Sequence, residues 1–259
     1  MADIDYRPRS ATEILDASFR LLRDNYSSFV ILSAVAYFPL AAFTILFSRY
    51  TGISDDPAVP TFNWNMPILM IVQLVFFQVI NAIVSILASR AYLDEPLDPG
   101  STWKAVLPRL GTIILTGLGF SVGFAIGFIF LILPAIYYYT RYGLAPLIAA
   151  LEGTSVTESF DRSSFLSRGQ KLHILGTTIL AVILYFILSI GFAVVSLQMP
   201  SALIRMAVSF LGTVLIWPAI PMFQTVLYYD LRIRAEGYDV DLMSRKLDAV
   251  PGVPAEPAI

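Results

Sequence analysis

The fold of this chain is decided by residues 111–153, which read GTIILTGLGFSVGFAIGFIFLIL, then Pro134, then AIYYYTRYGLAPLIAALEG. The first run contains no ionisable residue and exceeds the roughly 20 apolar residues that a helix needs to cross a bilayer. Pro134 interrupts it, because proline lacks the backbone N–H that continues a helix. The pattern predicts a helical hairpin in a membrane, and we expect the other helices to pack around it.

A repeat of small residues marks the first arm of this hairpin. Gly119, Gly123 and Gly127 recur every fourth residue and so lie on one helix face. In lipid, small residues let neighbouring backbones approach closely, and dispersion then holds the helices together. The spacing predicts close helix packing on this face.

A single cation, Arg141, follows the turn. Four tyrosines lie beside it in sequence: Tyr137, Tyr138, Tyr139 and Tyr142. An arginine at the bilayer centre costs about 2.5 to 3.5 kcal/mol on insertion scales, so this side chain needs a partner. One interpretation is structural, with the guanidinium at the outer headgroups or over tyrosine rings. The other is that Arg141, Tyr137, Tyr138 and Tyr142 contact a lipid phosphate or an anionic substrate.

The composition indicates that the bilayer is the solvent of this chain. Of its 259 residues, 57% are hydrophobic and 14% are charged, whereas soluble domains have about 25% charged residues. There is no cysteine and one histidine, His173, which excludes disulfides, thiol chemistry and a histidine-rich metal centre. We interpret His173 as an interfacial side chain. We expect no metal, no cofactor and no nucleic-acid partner, and membrane lipids as the surroundings.

Hydrophobic segments predict an all-α protein with six membrane spans. Their approximate bounds are 28–48, 67–89, 110–132, 135–151, 174–197 and 204–228. The fourth is short and carries Arg141, so a re-entrant or tilted segment is the alternative there. Residues 1–235 then form one membrane domain, and 236–259 form a cytoplasmic tail whose proline-rich end is predicted to be disordered.

The positions of lysine and arginine orient these spans. They concentrate before span one, between spans two and three, between spans four and five, and after span six. The other side receives only Arg49 and Arg205. Because cytoplasmic loops carry the excess of basic residues, both termini are predicted to be cytoplasmic. The same rule favours a true crossing by the fourth span, since otherwise the basic loop 152–173 would lie outside.

Amphipathic helices are predicted on the inner membrane surface at 11–24, 101–107 and 155–168. In the first, Ser10 and Glu13 match a capping box, and apolar residues share one helix face. The alternative is that this helix packs on the protein's own loops. The segment 155–168 repeats 10–23, with these identical pairs: Ser10/Ser155, Thr12/Thr157, Glu13/Glu158, Asp16/Asp161, Ser18/Ser163, Leu21/Leu166 and Arg23/Arg168. With a weaker copy at 101–109, the repeat predicts three units, each a surface helix followed by a hairpin of two spans.

Span two carries a polar stripe. Its members are Gln78, Asn81, Ser85 and Ser89, spaced by three and four residues on one helix face. Such a face must meet protein or water rather than lipid tails. Hydrogen bonding between helices is one interpretation, and the lining of a path for a polar substrate is the other. No acid lies deep in a confident span, and Asp230 sits at the inner end of span six, so we expect no proton-coupled transport.

Three stretches resemble a known family. They are RPRSATEILDASFRLLRDNY (7–26), APLIAALEGTSVTESFDRSSFLSRGQ (145–170) and LYYDLRIRAEGYDVDLM (227–243). Together they resemble the glycerophosphoryl diester phosphodiesterase membrane domain of bacterial membrane proteins. The resemblance implies a stand-alone membrane domain in the bacterial inner membrane. It carries over no catalytic residue, because the phosphodiesterase activity of that family belongs to a separate soluble barrel.

These patterns lead to two expectations about function. The first is a non-enzymatic structural or accessory component of a membrane complex, with a membrane-protein partner or a second copy of itself. It rests on the glycine face and on the repeated surface helices. The alternative is a small transporter or lipid-handling protein, which rests on Arg141, the polar stripe and the prolines within the spans.

Overall fold

A computed structural model describes residues 7–51 and 64–240, and every regular element in that range is helical. The α-helices of this range are α1 Ala11–Asp24, α2 Tyr26–Thr51, α3 Asn65–Tyr92, α4 Pro99–Val106, α5 Leu110–Phe130, α6 Ile132–Tyr142, α7 Ala145–Glu152, α8 Val156–Leu166, α9 Lys171–Leu197, α10 Ala202–Ile216 and α11 Ala219–Glu236. A 3-10 turn, Leu107–Arg109, joins α4 to α5. The proline-rich end of the tail, which is predicted to be disordered, lies outside the described residues.

Five segments are long and apolar enough to cross a membrane. They are Tyr26–Phe47, Asn65–Tyr92, Pro99–Phe130, Lys171–Leu197 and Ile204–Glu236. They coincide with predicted spans one, two, three, five and six. The chain is therefore an all-helical protein of multi-pass membrane character.

The fourth predicted span, 135–151, is divided between two short helices. α6 has 11 residues and α7 has 8. At 1.5 Å per residue they are about 16 and 12 Å long, so neither crosses about 30 Å of hydrocarbon alone. The division falls at Gly143 and Leu144, and Pro146 withholds the N–H that the carbonyl of Tyr142 would accept in a continuous helix.

The sixth predicted span is divided in a similar way. α10 ends at Ile216 and α11 begins at Ala219, with Trp217 and Pro218 between them. Pro218 withholds the N–H that the carbonyl of Val214 would accept. At both junctions the connecting residues keep helical φ and ψ, so each helix break is an interruption of the helical hydrogen bonds at a proline.

The buried core lies at one end of the helices. It consists mainly of the C-terminal half of α3 and most of α11, together with α7, α1 and the start of α2. The hairpin of residues 111–153 was expected to be the centre of packing. Its α7 part lies in the buried core and packs against α3, α5 and α8, whereas its tip, Phe128–Leu133, is exposed. α3 packs against α2, α5, α7 and α11 and so shares this central position.

Helix contacts repeat around the molecule. The surface helices α1, α4 and α8 pack on α11, α3 and α7, which are the last helices of the preceding predicted units. The spans of neighbouring units also contact one another: α3 contacts α5, α6 contacts α9, and α10 contacts α2. The predicted units therefore contact one another in a closed ring, in which α1 at the start of the chain meets α11 near its end.

The two best copies of the surface helix share their caps and their buried face. Ser10 and Glu13 form a capping box on α1, and Ser155 and Glu158 form the same box on α8. Ile14, Ser18 and Leu21 are buried in α1, and the equivalent Ser159, Ser163 and Leu166 are buried in α8. The Ser10 N–H and then Arg7 hold the pKa of Glu13 at about 2, and the Ser155 N–H lowers the pKa of Glu158. The weaker third copy, α4, is capped instead by Asp98, which accepts from the N–H groups of Gly100 and Ser101.

The glycines of α5 meet different neighbours. At Gly127 the backbone of Ala135 in α6 lies 3.1 Å from where a Cβ would stand. At Gly123 that space holds the ring of Tyr138, and at Gly119 the ring of Phe160 in α8 lies 3.7 Å away. Close approach of two backbones therefore occurs at Gly127, inside the chain.

We expect Gly127→Leu to lower the thermal stability of the purified protein. The added side chain has no room between α5 and α6, and overpacking of this kind costs typically about 1 to 3 kcal/mol. The measurement is the Tm in detergent. Gly191→Leu in α9 is the matched control, because a Cβ at Gly191 meets nothing within 4 Å. Equal Tm values for the two variants would contradict the prediction.

Candidate functional site

A cavity of about 120 Å³ lies beside both helix breaks, between α3, α5, α6, α7 and α11, and six polar side chains interrupt its mainly apolar wall. Its polar lining consists of Gln78, Asn81, Ser85, Ser121, Tyr139 and Gln224. Its remaining lining consists of Phe77, Ala82, Phe120, Gly143, Pro146, Leu147 and Ile220. A single water needs roughly 10 to 15 Å³ measured in this way, so the space accommodates several waters or a small organic molecule.

The side chains of the lining are positioned by short contacts. The amide of buried Gln78 donates to Ser121 Oγ at 3.4 Å, and Ser121 donates to the carbonyl of Gly117 at 2.8 Å. Gly117 is required here, because a Cβ would stand 2.3 Å from the Gln78 side chain. Asn81 Nδ2 donates to the carbonyl of Phe77 at 2.9 Å, which leaves its amide oxygen available to a ligand.

Three of the four residues of the predicted polar stripe line this cavity. Ser89, the fourth, lies further along α3, where its hydroxyl is 2.6 Å from the Tyr229 hydroxyl. Sequence reasoning did not select Ser121 or Gln224 as lining residues. Neither residue belongs to a periodic polar pattern in its helix. The amide of Gln224 within an apolar segment was the one sequence feature that could have indicated a lining residue.

The lining residues carry no formal charge. All of the polar groups are amides or hydroxyls, and Tyr139 lies beside the amide of Gln224. A buried site of this kind is suited to an uncharged ligand that both donates and accepts hydrogen bonds, since an ion would lack a counter-charge.

One wall of the cavity, α7, is fixed at its far end. Arg109 Nη1 donates to the carbonyls of Ala150 and Leu151 at 2.9 and 3.2 Å. The guanidinium packs against Gly153, whose φ of 67° is in the left-handed region that favours glycine. The last carbonyls of α7, which have no partner within the helix, are thus satisfied by one cation.

Arg141 turns away from the cavity, toward α8. Its Nε donates to Ser164 Oγ at 3.0 Å, and its guanidinium carbon lies 5.0 Å from the ring centroid of Tyr142. The hydroxyls of Ser163 and Ser167 donate to its carbonyl. Serines of the surface helix therefore satisfy the broken end of α6.

The tyrosines predicted to accompany Arg141 are separated by the helix. The ring of Tyr137 is exposed and lies 4.1 Å from Lys171 Nζ, and its hydroxyl faces Lys171 and Arg141. Tyr138 lies on the other side, stacked on Phe120. Of the predicted set, Arg141 faces Tyr137 and Tyr142, and the ring centroids of Tyr138 and Tyr142 are 5.0 Å apart.

A second polar site, which the sequence did not predict, surrounds Asp230. This carboxylate is fully buried and accepts from the N–H of Arg9 at 2.6 Å and from Arg234 Nε at 2.7 Å. His173 Nε2 lies 3.1 Å from it, and Arg234 Nη2 donates to the carbonyl of Arg9 at 2.6 Å. The junction ties the segment before α1 to the start of α9 and the end of α11.

A third polar site lies at the end of α7. Arg162 bridges Glu152 and Glu236, and Arg232 donates to Glu236 at 3.0 Å. The hydroxyl of Tyr228 donates to Glu152 at 2.6 Å. Together these contacts join α7, α8 and α11 at the same end of the molecule as the buried core.

Comparison with known proteins adds no relative: no protein-family model, curated protein or solved structure matches the chain.

We expect Asp230→Asn to destabilise the protein strongly. The change keeps the size of the side chain but leaves the Arg234 cation without its buried counter-charge, which costs on the order of 3 kcal/mol. The measurement is the Tm in detergent, with Asp161→Asn, an exposed carboxylate on α8, as control. A Tm equal to that of the control would show that the junction contributes little.

Proposed function

We propose that this chain is a six-crossing membrane protein that binds a small uncharged polar molecule in the central cavity and moves it across the bilayer. The observation that carries the proposal is the position of the cavity: it lies beside both helix breaks, and Tyr139 and Gln224 are the polar side chains of its lining nearest to them. Helix breaks beside a polar site are typical of transporters, because such breaks bring backbone and side-chain polar groups to a substrate.

The position of each break supports this assignment. Gly143 and Pro146 at the first break line the cavity, as do Ile220 and Gln224 just after the second. Polar side chains inside the hydrocarbon region face protein or water-filled space, since lipid cannot satisfy them. Three residues of the α3 stripe, Gln78, Asn81 and Ser85, face this space, which accounts for their polar side chains within the apolar middle of the helix.

The chemistry of the lining indicates the class of substrate. Two hydroxyls of serine, one of tyrosine and three amides offer donors and acceptors without charge. A small polyhydroxylated or amide-bearing molecule fits these groups. We propose transport without catalysis and without a cofactor.

In this proposal the chain crosses the membrane six times, as three hairpins. α6 and α7 together form the fourth crossing. The termini are cytoplasmic, the membrane is the bacterial inner membrane, and the chain belongs to the membrane-domain family that its three motifs resemble. The distribution of lysine and arginine supports the orientation. The ring of contacts supports the division into three units.

The transport proposal predicts faster entry of a small polyol into vesicles. Liposomes containing the purified protein should equilibrate glycerol faster than protein-free liposomes, as measured by stopped-flow light scattering after an osmotic step. Asn81→Leu should reduce the added flux about tenfold, because a buried hydrogen bond to the substrate is lost. Thr44→Val on α2, outside the cavity, is the control. If wild-type and protein-free vesicles give equal rates for glycerol and urea alike, the transport proposal fails.

The proposed topology predicts the labelling of single cysteines. Because the chain has no cysteine of its own, Lys104→Cys, Asp161→Cys and Ser201→Cys each introduce one thiol. A membrane-impermeant maleimide added to intact cells should label position 201 and spare 104 and 161. Labelling of 161 from outside would mean that α6 and α7 do not cross.

The accessory role remains a second candidate, and one observation favours it. α9 is the least buried of the five candidate spans, so its lateral face is open to lipid or to a membrane partner. Native mass spectrometry of the protein from its own membrane separates the candidates. A stoichiometric protein partner would support the accessory role.

A further inference from the structure

A cluster of cations lies where α6 meets the turn between α8 and α9. We define this basic corner as Arg141, Arg168 and Lys171, with the rings of Tyr137 and Phe165. Lys171 and Arg141 both face the Tyr137 hydroxyl, and Arg168 lies over Phe165 with its guanidinium carbon 5.8 Å from the ring centroid. Ser164 Oγ accepts from Arg141, which places the end of α8 against α6.

The corner has an uncompensated positive charge. Within residues 7–51 and 64–240, none of its three cations forms an ion pair, whereas Arg7, Arg20, Arg23, Arg162, Arg232 and Arg234 each pair with a carboxylate. The acids of α8 do not neutralise it. Glu158 is held in the capping box, and Asp161 is exposed without an ion pair.

Apolar surface continues from these cations toward the membrane interior. Leu172 is 85% exposed, and Ile179 and Ile183 on the same face of α9 are 48% and 51% exposed. Lys171 is the first residue of a candidate span, so the corner lies at the level of the lipid headgroups. Cations at that level beside exposed aliphatic side chains match the two parts of a phospholipid, its phosphate and its acyl chains.

We propose that the basic corner binds the headgroup phosphate of an anionic phospholipid, whose acyl chains lie along α6 and α9. A zwitterionic phospholipid fits less well, because its ammonium group is repelled by the same three cations. The site lies on the face of α6 opposite the cavity, since Tyr137 faces the corner and Tyr139 lines the cavity. The inference therefore needs the membrane location but not the transport of a solute.

Native mass spectrometry of the full chain in detergent tests the site. The probes are phosphatidylglycerol and phosphatidylcholine with the same acyl chains. Each basic residue near the surface adds about 1 kcal/mol to the attraction of anionic lipid, so Arg168→Gln with Lys171→Gln should weaken phosphatidylglycerol retention about 25-fold. Retention of phosphatidylcholine should stay unchanged.

The repeat supplies a matched control. Arg23 in α1 is the counterpart of Arg168 in α8, and Arg20→Gln with Arg23→Gln removes the same charge from the other surface helix. These variants should retain phosphatidylglycerol as the wild type does. An equal loss in both double variants would overturn the proposal in favour of a general charge effect. So would displacement of phosphatidylglycerol by 10 mM inorganic phosphate, which would identify a soluble anion as the ligand. Arg141→Gln, whose change is confined to one side chain, gives a second measurement if the double variant does not fold.

Discussion

The carboxylate of Asp230 is the contact on which the arrangement of the helices depends. A fully buried charge is tolerated only when its partners satisfy it, and here a backbone N–H, a guanidinium and an imidazole come from three separate parts of the chain. Arg234 also donates to the carbonyl of Arg9, so both the backbone N–H and the carbonyl of Arg9 are held in place. This fixes the position of α1 on α11, and with it the last contact that closes the ring.

Polar groups inside an apolar medium must find hydrogen-bond partners. This requirement also explains the contacts at the ends of α6 and α7. Proline divides two helices and releases carbonyls that no helical N–H can reach. Hydroxyls of Ser163 and Ser167 satisfy the end of α6, and the guanidinium of Arg109 satisfies the end of α7. Where the breaks face α3, amides and serines line the cavity instead. The proposed site therefore combines two interrupted helices with side chains suited to bind a polar solute.

Local patterns in the sequence predicted the elements well. Both capping boxes follow from a serine and a glutamate three residues apart, and five spans follow from apolar runs. The helix breaks were harder to predict, because proline alone does not decide them: Pro39 lies inside the continuous helix α2, whereas Pro146 and Pro218 coincide with breaks. The identity of the residue therefore does not decide which outcome occurs, and the packing of each helix involves partners that are distant in sequence.

Some residues of the candidate sites were likewise predictable from local sequence patterns, and others were not. Gln78, Asn81 and Ser85 form a periodic stripe on one helix, so their common face was predictable. Asp230 and His173 are 57 residues apart, and no spacing rule connects them. Arg141 was predicted to need a partner, but a serine of the surface helix supplies it, a contact that only the packing of α8 determines.

The closed ring also constrains the order of assembly. Arg9 and Asp230 are separated by 221 positions, so α1 leaves the ribosome long before the helix that it packs on. During that interval the buried face of α1 has no α11 to cover it. The pairing of α1 with α11 is therefore one of the last contacts that the growing helices of this ring can make.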